Sequence, residues 1–211
     1  MEKKTLTFLH QATGLYHRYG IKSVTMDDVA HHLGISKKTL YEHFRNKEDL
    51  VGSVIFLEHD RQRRYFDEIR KKKLNAIEEL MEVYRIINRV LRDYHPSIEY
   101  DVRKYYPSLF MKLRNLRREG LYESTYRNLI KGQKEGLYRK EMNADIISRL
   151  HVARFEYLSE NDVFTNDELT SVKVFHEIFL YHIFGILNDK GRVFFSKNFE
   201  KYKANMVIAD T

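Results

Sequence analysis

The sequence predicts an all-α protein. Three observations carry the prediction: apolar residues recur at helical spacing throughout the 211 residues, only two prolines interrupt them, and glycines are few. Cysteine is absent, so disulfides and thiolate metal sites are ruled out, which fits a reducing cytoplasm. The N-terminus is amphipathic rather than a continuous apolar core, so no signal peptide is expected. The most apolar run, near 178–187, is too short to span a bilayer and is interrupted by His182.

The first element is a helix ending at Tyr19, with Leu9, Ala12, Tyr16 and Tyr19 three and four residues apart and Gly20 as its stop. Thr25 then opens a second helix, with Asp28 at its positive end and Val29, Ala30 and Leu33 on one face. Gly34 stands where a left-handed residue must end that helix, Ile35 plugs the corner, and Ser36 caps a third helix, Lys37 to His43. The buried side of that helix is Leu40 and Phe44. Two short helices joined at a glycine corner form a helix-turn-helix, which lays its second helix in the DNA major groove. The outward side of that helix carries Lys37, Lys38, Thr39, Tyr41 and His43, residue types suited to phosphates and base edges. Lys47 begins the next helix, where it either meets a phosphate together with free helix amides or is solvated. The net charge of +7 permits nucleic-acid binding without locating it. Residues 1–50 hold 8 Lys and Arg against 6 Asp and Glu, and the other 161 residues hold 29 against 24.

This stretch resembles the DNA-binding segment of the TetR family of bacterial transcriptional regulators. Thr25, Met26, Asp28, Val29 and Ala30 match the start of that family's signature. Gly34, Ile35, Ser36, Thr39, Leu40, Tyr41, His43 and Phe44 match its centre, and Lys47, Glu48 and Leu50 its end. Lys38 departs from it where many members have glycine, and His31, His32 and Leu33 stand where small residues are common. The resemblance implies a phosphate or sugar contact for Tyr41, a helix before the corner that completes a three-helix domain, and a regulatory domain with a ligand pocket. The expected division is a DNA-binding domain over 1–48 and a helical ligand-binding and dimerisation domain over 49–211.

The remaining elements follow from the same spacing. One helix continues without a turn signal from Leu50 to about Ile69, joining the two domains without a flexible tether. The basic runs at 59–64 and 70–73 read as solvated faces. A helix is expected from Asn75 to about Asp93, broken at 94–96, then a short one over 98–106 and another from Pro107, kinked or interrupted at Gly120 and ending at Gly136. The segment 132–146 also resembles a junction of the TetR regulatory domain that leads into a dimerisation helix, here expected from Ala144 to Leu158. After a polar loop at 159–168, Thr165 and Glu168 form a capping box for a last helix over 166–189.

That last helix is apolar around most of its circumference, which calls for cover on two sides. A homodimer is expected through helices 143–159 and 166–188, using Ile147, Leu150, Phe175, Ile178, Phe179, His182, Ile183 and Ile186. The alternative is burial by the chain's own C-terminal segment. Tyr84, Tyr105, Phe110, Tyr122, Tyr126 and Phe155 either line an apolar pocket with phenolic groups at its rim or simply fill the core. No metalloprotease, phosphate-loop, nucleophile-elbow or dinucleotide motif is present, and the histidines are not spaced as metal ligands. Neither catalytic residues nor cofactor nor metal is therefore expected. The expected function is that of a cytoplasmic homodimeric repressor, binding a near-palindromic double-stranded DNA operator and released by a small-molecule effector.

Overall fold

The computed structural model describes residues 3–92, 96–160, 164–165, 168 and 171–204. Among them every regular element is a helix, apart from one antiparallel β-bridge between Tyr138 and Leu187. Ten helices are delimited among the described residues: α1 (Lys3–Tyr19), α2 (Met26–His32), α3 (Lys37–His43), α4 (Lys47–Lys71), α5 (Ala76–Arg92), α6 (Pro96–Tyr105), α7 (Pro107–Lys134), α8 (Ala144–Glu160), α9 (Val172–Ile186) and α10 (Asp189–Ala204). None of them is long and apolar enough to cross a membrane.

The chain folds as two compact units, residues 1–64 with 95–116 and residues 65–94 with 117–211. Helices α4 and α7 each contribute to both. In the first unit α1 buries Phe8, Leu9, Ala12, Leu15 and Tyr16 against Val29, Ala30, Leu40, Phe44 and Leu50. Tyr19, expected on that face, is instead 55% exposed, because the inward stripe runs through Leu15 and Tyr16. Helix α6 adds Val102, and its Asp101 carboxylate accepts from the Lys22 backbone amide at 2.9 Å. That tie fastens the α1–α2 loop.

In the second unit the core gathers Ile77, Met81 and Tyr84 of α5, Leu129 of α7, Phe175, Phe179 and Ile183 of α9, and Phe195 and Phe199 of α10. Helix α7 runs through Gly120 as one helix, so of the kink or interruption expected there the interruption does not occur. A Cβ at Gly132 would overlap the ring of the fully buried Tyr138, so only glycine there lets that ring lie against α7. The basic runs are solvated faces knitted by short-range pairs, such as Arg61 with Glu58 and Lys71 with Glu68.

The last apolar helix differs from expectation at both ends. Thr165 and Glu168 do exchange the reciprocal bonds of a capping box. Yet α9 starts only at Val172, under a second cap in which Ser171 Oγ accepts from the Val174 amide at 3.1 Å. It stops at Ile186 because Leu187 turns extended to pair with Tyr138. Of the expected break at 94–96, residues 94 and 95 lie outside the described residues and Pro96 already opens α6. Of the loop expected at 159–168, residues 159 and 160 still belong to α8, and 161–163 and 166–167 lie outside the described residues, as do the side chains of 157–160.

Candidate functional site

The corner between α2 and α3 is built entirely from local bonds. Thr25 Oγ1 accepts from the Asp28 amide at 3.1 Å, and the Asp28 carboxylate accepts from the Thr25 amide at 2.8 Å. Those bonds satisfy orphan donors at the start of α2, and the Thr25 hydroxyl donating to the Asp28 carboxylate at 2.6 Å, then the Thr25 amide, hold the Asp28 carboxyl below its usual range. At the other end Gly34 adopts φ 65°. The amide of Ile35 then donates to Ala30 and that of Gly34 to His31, each at 3.0 Å, closing a Schellman motif. Ser36 Oγ accepts from the Thr39 amide at 3.1 Å and starts α3. Leu40 and Phe44 turn into the core, which directs the opposite side of α3 to solvent.

That outward side carries Lys37, Lys38 and Tyr41, all exposed. Tyr41 is 48% exposed although aromatic. The Lys37 ammonium pairs with Asp27 of α2 at 2.5 Å. Thr39 is half-buried and bonded to Ser36 through its hydroxyl at 3.0 Å, so it stands at the edge of the surface. Thr25 is exposed but committed to its capping box.

Two candidate contacts are placed otherwise than expected. His43 is turned back to α1, with Nδ1 2.9 Å from Thr5 Oγ1 and its ring edge-on to Phe8. It pins α3 to α1 rather than reaching outward, because three residues after Leu40 it lies at the margin of the inward side of α3, next to Phe44. Lys47 donates from Nζ to the Lys22 carbonyl at 3.1 Å, and burial lowers its pKa. Its ammonium therefore serves the loop after α1. Arg45, which the sequence reading passed over, is exposed beside α3 and paired with Asp49 at 3.3 Å.

The second unit holds a cavity with about 850 Å³ of space between atoms, its open mouth included. Tyr84 and Phe155 line it, as do Ile178 and His182, which were expected at a dimer surface. Tyr105 and Phe110 do not, because they belong to the first unit, where Tyr105 lies under Lys22 and Phe110 packs on the core. Tyr122 and Tyr126 stack on each other away from the lining, with the Tyr122 hydroxyl donating to Asp145 at 2.8 Å. Periodicity could not separate these aromatics, since all of them sit on apolar-looking faces.

The polar part of the lining was missed as a group. His151 and Arg154 of α8 are joined at 2.8 Å, and the His151 and His182 ring centres are 4.3 Å apart. Burial, then the neighbouring cation, pulls His182 down to about 4, and burial with both neighbours pulls His151 to about 2. The available signal was the i, i+3 spacing of His151 and Arg154 within an apolar helix. Among the described residues no group of three or more His, Asp or Glu is placed to hold a metal ion.

Of the expected dimer residues, Phe175, Phe179, Ile183 and Ile186 are buried within the chain's own core. The physical reason is α10, whose Phe199 stacks on Phe179 and whose Phe195 meets the same ring at a tilt. Ile147 is half-buried against the same core. Leu150 alone among them is well exposed, at 60%. Ile146 on α8 and Tyr181 and Phe184 on α9 are exposed apolar groups as well.

Residues 8–54 match the family model described as bacterial regulatory proteins, tetR family. No match was found among curated protein sequences. Several solved structures share the fold over nearly the whole chain. A transcriptional regulator from Cytophaga hutchinsonii superposes with TM-score 0.74 at 19% identity, covering 89% of this chain and 100% of that one. The TetR family protein CprB of S. coelicolor gives TM-score 0.60 at 17% identity and covers 100% of both chains. A complex of SmeT with triclosan gives TM-score 0.63 at 14% identity over 89% and 93%. At these identities the likeness is one of fold.

Proposed function

We propose that this chain, whose residues 8–54 match the model of the tetR family of bacterial regulatory proteins, is a ligand-responsive repressor acting in the cytoplasm. It binds a near-palindromic double-stranded operator as a homodimer and leaves it when a small molecule binds. The observation that carries this reading is the exposed face of α3, with Lys37, Lys38 and Tyr41 presented by a corner whose every bend has its own hydrogen bond. Lys38 is the candidate nearest to bases, and Tyr41 and Lys37 suit the phosphate backbone. Two copies of α3 would enter successive major grooves about 34 Å apart.

In this reading residues 1–48 bind DNA, and residues 49–211 bind ligand and pair with a second copy. Pairing would use the exposed stripe of Ile146 and Leu150 on α8 with Tyr181 and Phe184 on α9, which water would otherwise have to cover. The cavity of the second unit is the effector site. Phe66, Ile69 and Arg70 of α4 line it, and the same unbroken helix begins at Lys47, beside the corner. A ligand that prefers one setting of α4 would shift the spacing of the two recognition helices by its differential affinity and no more. The SmeT–triclosan complex shows a protein of this fold holding a small molecule, which favours the same role for the cavity here.

The test is a mobility-shift titration with the DNA upstream of the chain's own coding sequence. Wild-type protein should bind it well above an arbitrary duplex. Tyr41→Ala and Lys38→Ala should each weaken binding while leaving the protein dimeric. Equal binding to both duplexes would remove the proposal.

A further inference from the structure

We infer that the cavity of the second unit takes a monoanionic amphiphile, a carboxylate on an apolar chain or ring system, with Arg154 and His151 holding its head. The inference rests on the reading of this cavity as the effector site.

Arg154 is the starting point. Its Nε is shut off from solvent and has no hydrogen-bond acceptor, and among the described residues no carboxylate pairs with it. A guanidinium offers donors only, so the 2.8 Å bond to His151 requires His151 Nδ1 to be the acceptor. His151 is therefore neutral, with its proton on Nε2, which agrees with the downward pull of burial on both histidines. The polar end of the cavity thus combines one charged donor and two neutral imidazoles.

The other charges of the lining are committed elsewhere or open to water. Glu79 is paired with Lys131 at 2.7 Å, Arg70 is tied to Asp67, and Arg127 is exposed. A partly desolvated cation with an unused donor is costly unless an anion meets it. One such cation calls for one negative charge, and a planar carboxylate fits the guanidinium fork. A dianionic head would leave a charge without compensation. The rest of the lining, with Leu80, Val83, Ile87, Phe155, Ile178 and Phe179, suits an apolar body.

The test uses the full-length protein and matched probes: decanoate against decanol and decyltrimethylammonium, and naphthoate against naphthol. Calorimetry should show at least one acid binding about tenfold or more tighter than its alcohol, with the cation not binding. Arg154→Met should abolish that preference and Arg154→Lys should restore part of it, in proteins whose thermal unfolding stays cooperative. The inference is overturned if neither acid outbinds its alcohol, if the cation binds best, or if no probe binds. This arm needs wild-type protein alone, so a misfolded variant does not blunt it. Operator binding is followed in parallel without ligand. Intact operator binding without acid preference removes only this inference. Acid preference without operator binding supports it while removing the regulator reading.

Discussion

The Lys37 ammonium at the first residue of α3 and the Asp27 carboxylate at the second residue of α2 lie 2.5 Å apart across the helical corner. Both side chains are more than half exposed, so the pair adds little to stability. Its consequence is for the charge that α3 presents. Part of the field of Lys37 is cancelled by its own neighbour before any phosphate approaches.

Replacing Asp27 with Asn should free that cation. DNA affinity should rise a few-fold for all sequences alike, and the slope of log affinity against log salt should steepen by up to about one. Thermal stability should stay close to that of wild type, since the pair is exposed. Fluorescence anisotropy at several salt concentrations checks this. An unchanged slope would mean that Lys37 does not meet the backbone.

Two glycines should differ in how they fail. Gly34 has φ 65° and open space around its Cβ position, so Gly34→Ala pays only the backbone strain, about 1 kcal/mol. At Gly132 the added methyl meets the Tyr138 ring, which is fully buried with its hydroxyl 3.0 Å from Asn128 and cannot move aside. Gly132→Ala should cost about 1–3 kcal/mol or more through overpacking. Urea unfolding of the two variants gives the comparison.

Leu150 and Phe179 should separate assembly from folding. Leu150→Glu puts a charge on the exposed α8 stripe and should yield a folded monomer by sedimentation. Phe179→Ala opens a hole between Tyr84, Phe195 and Phe199 and should cost about 3–5 kcal/mol of stability. A Leu150→Glu protein that remains dimeric would rule out that stripe as the partner surface.

The paired histidines set an acid limit. Both fall from an ordinary value of 6.5, His182 to about 4 and His151 to about 2, with burial the first cause in each. Below 6.5 the unfolded chain binds protons that the folded one refuses, so the contribution is intact above that pH and is lost as pH falls. Between 6.5 and about 4 each histidine should add a slope approaching 1.4 kcal/mol per pH unit. His182→Gln should reduce the acid-side slope of stability by about one proton. Chemical denaturation across that range measures it, and a slope equal to wild type would contradict the buried neutral pair.

How legible the molecule was in its sequence varied with the range of the forces involved. The corner at 25–50 could be read residue by residue, because Thr25, Gly34, Ser36 and Asn46 act on amides within a few positions of themselves. The same residues determined which side of α3 faces out, since Leu40 and Phe44 claim the other. The turns of His43 toward Thr5 and of Lys47 toward Lys22 were beyond that reading. They depend on α1 and its loop, 38 and 25 residues away.

In the second unit the sequence determined which helices are apolar but not what covers each face. The circumference of α9 called for two partners, and only the packed structure shows that α10 supplies one of them through Phe195 and Phe199. The same holds for the cavity, where His151, Arg154 and His182 acquire their shared character by being desolvated together. Local hydrogen bonds are written in neighbouring letters, whereas burial belongs to a residue only after distant segments have closed around it.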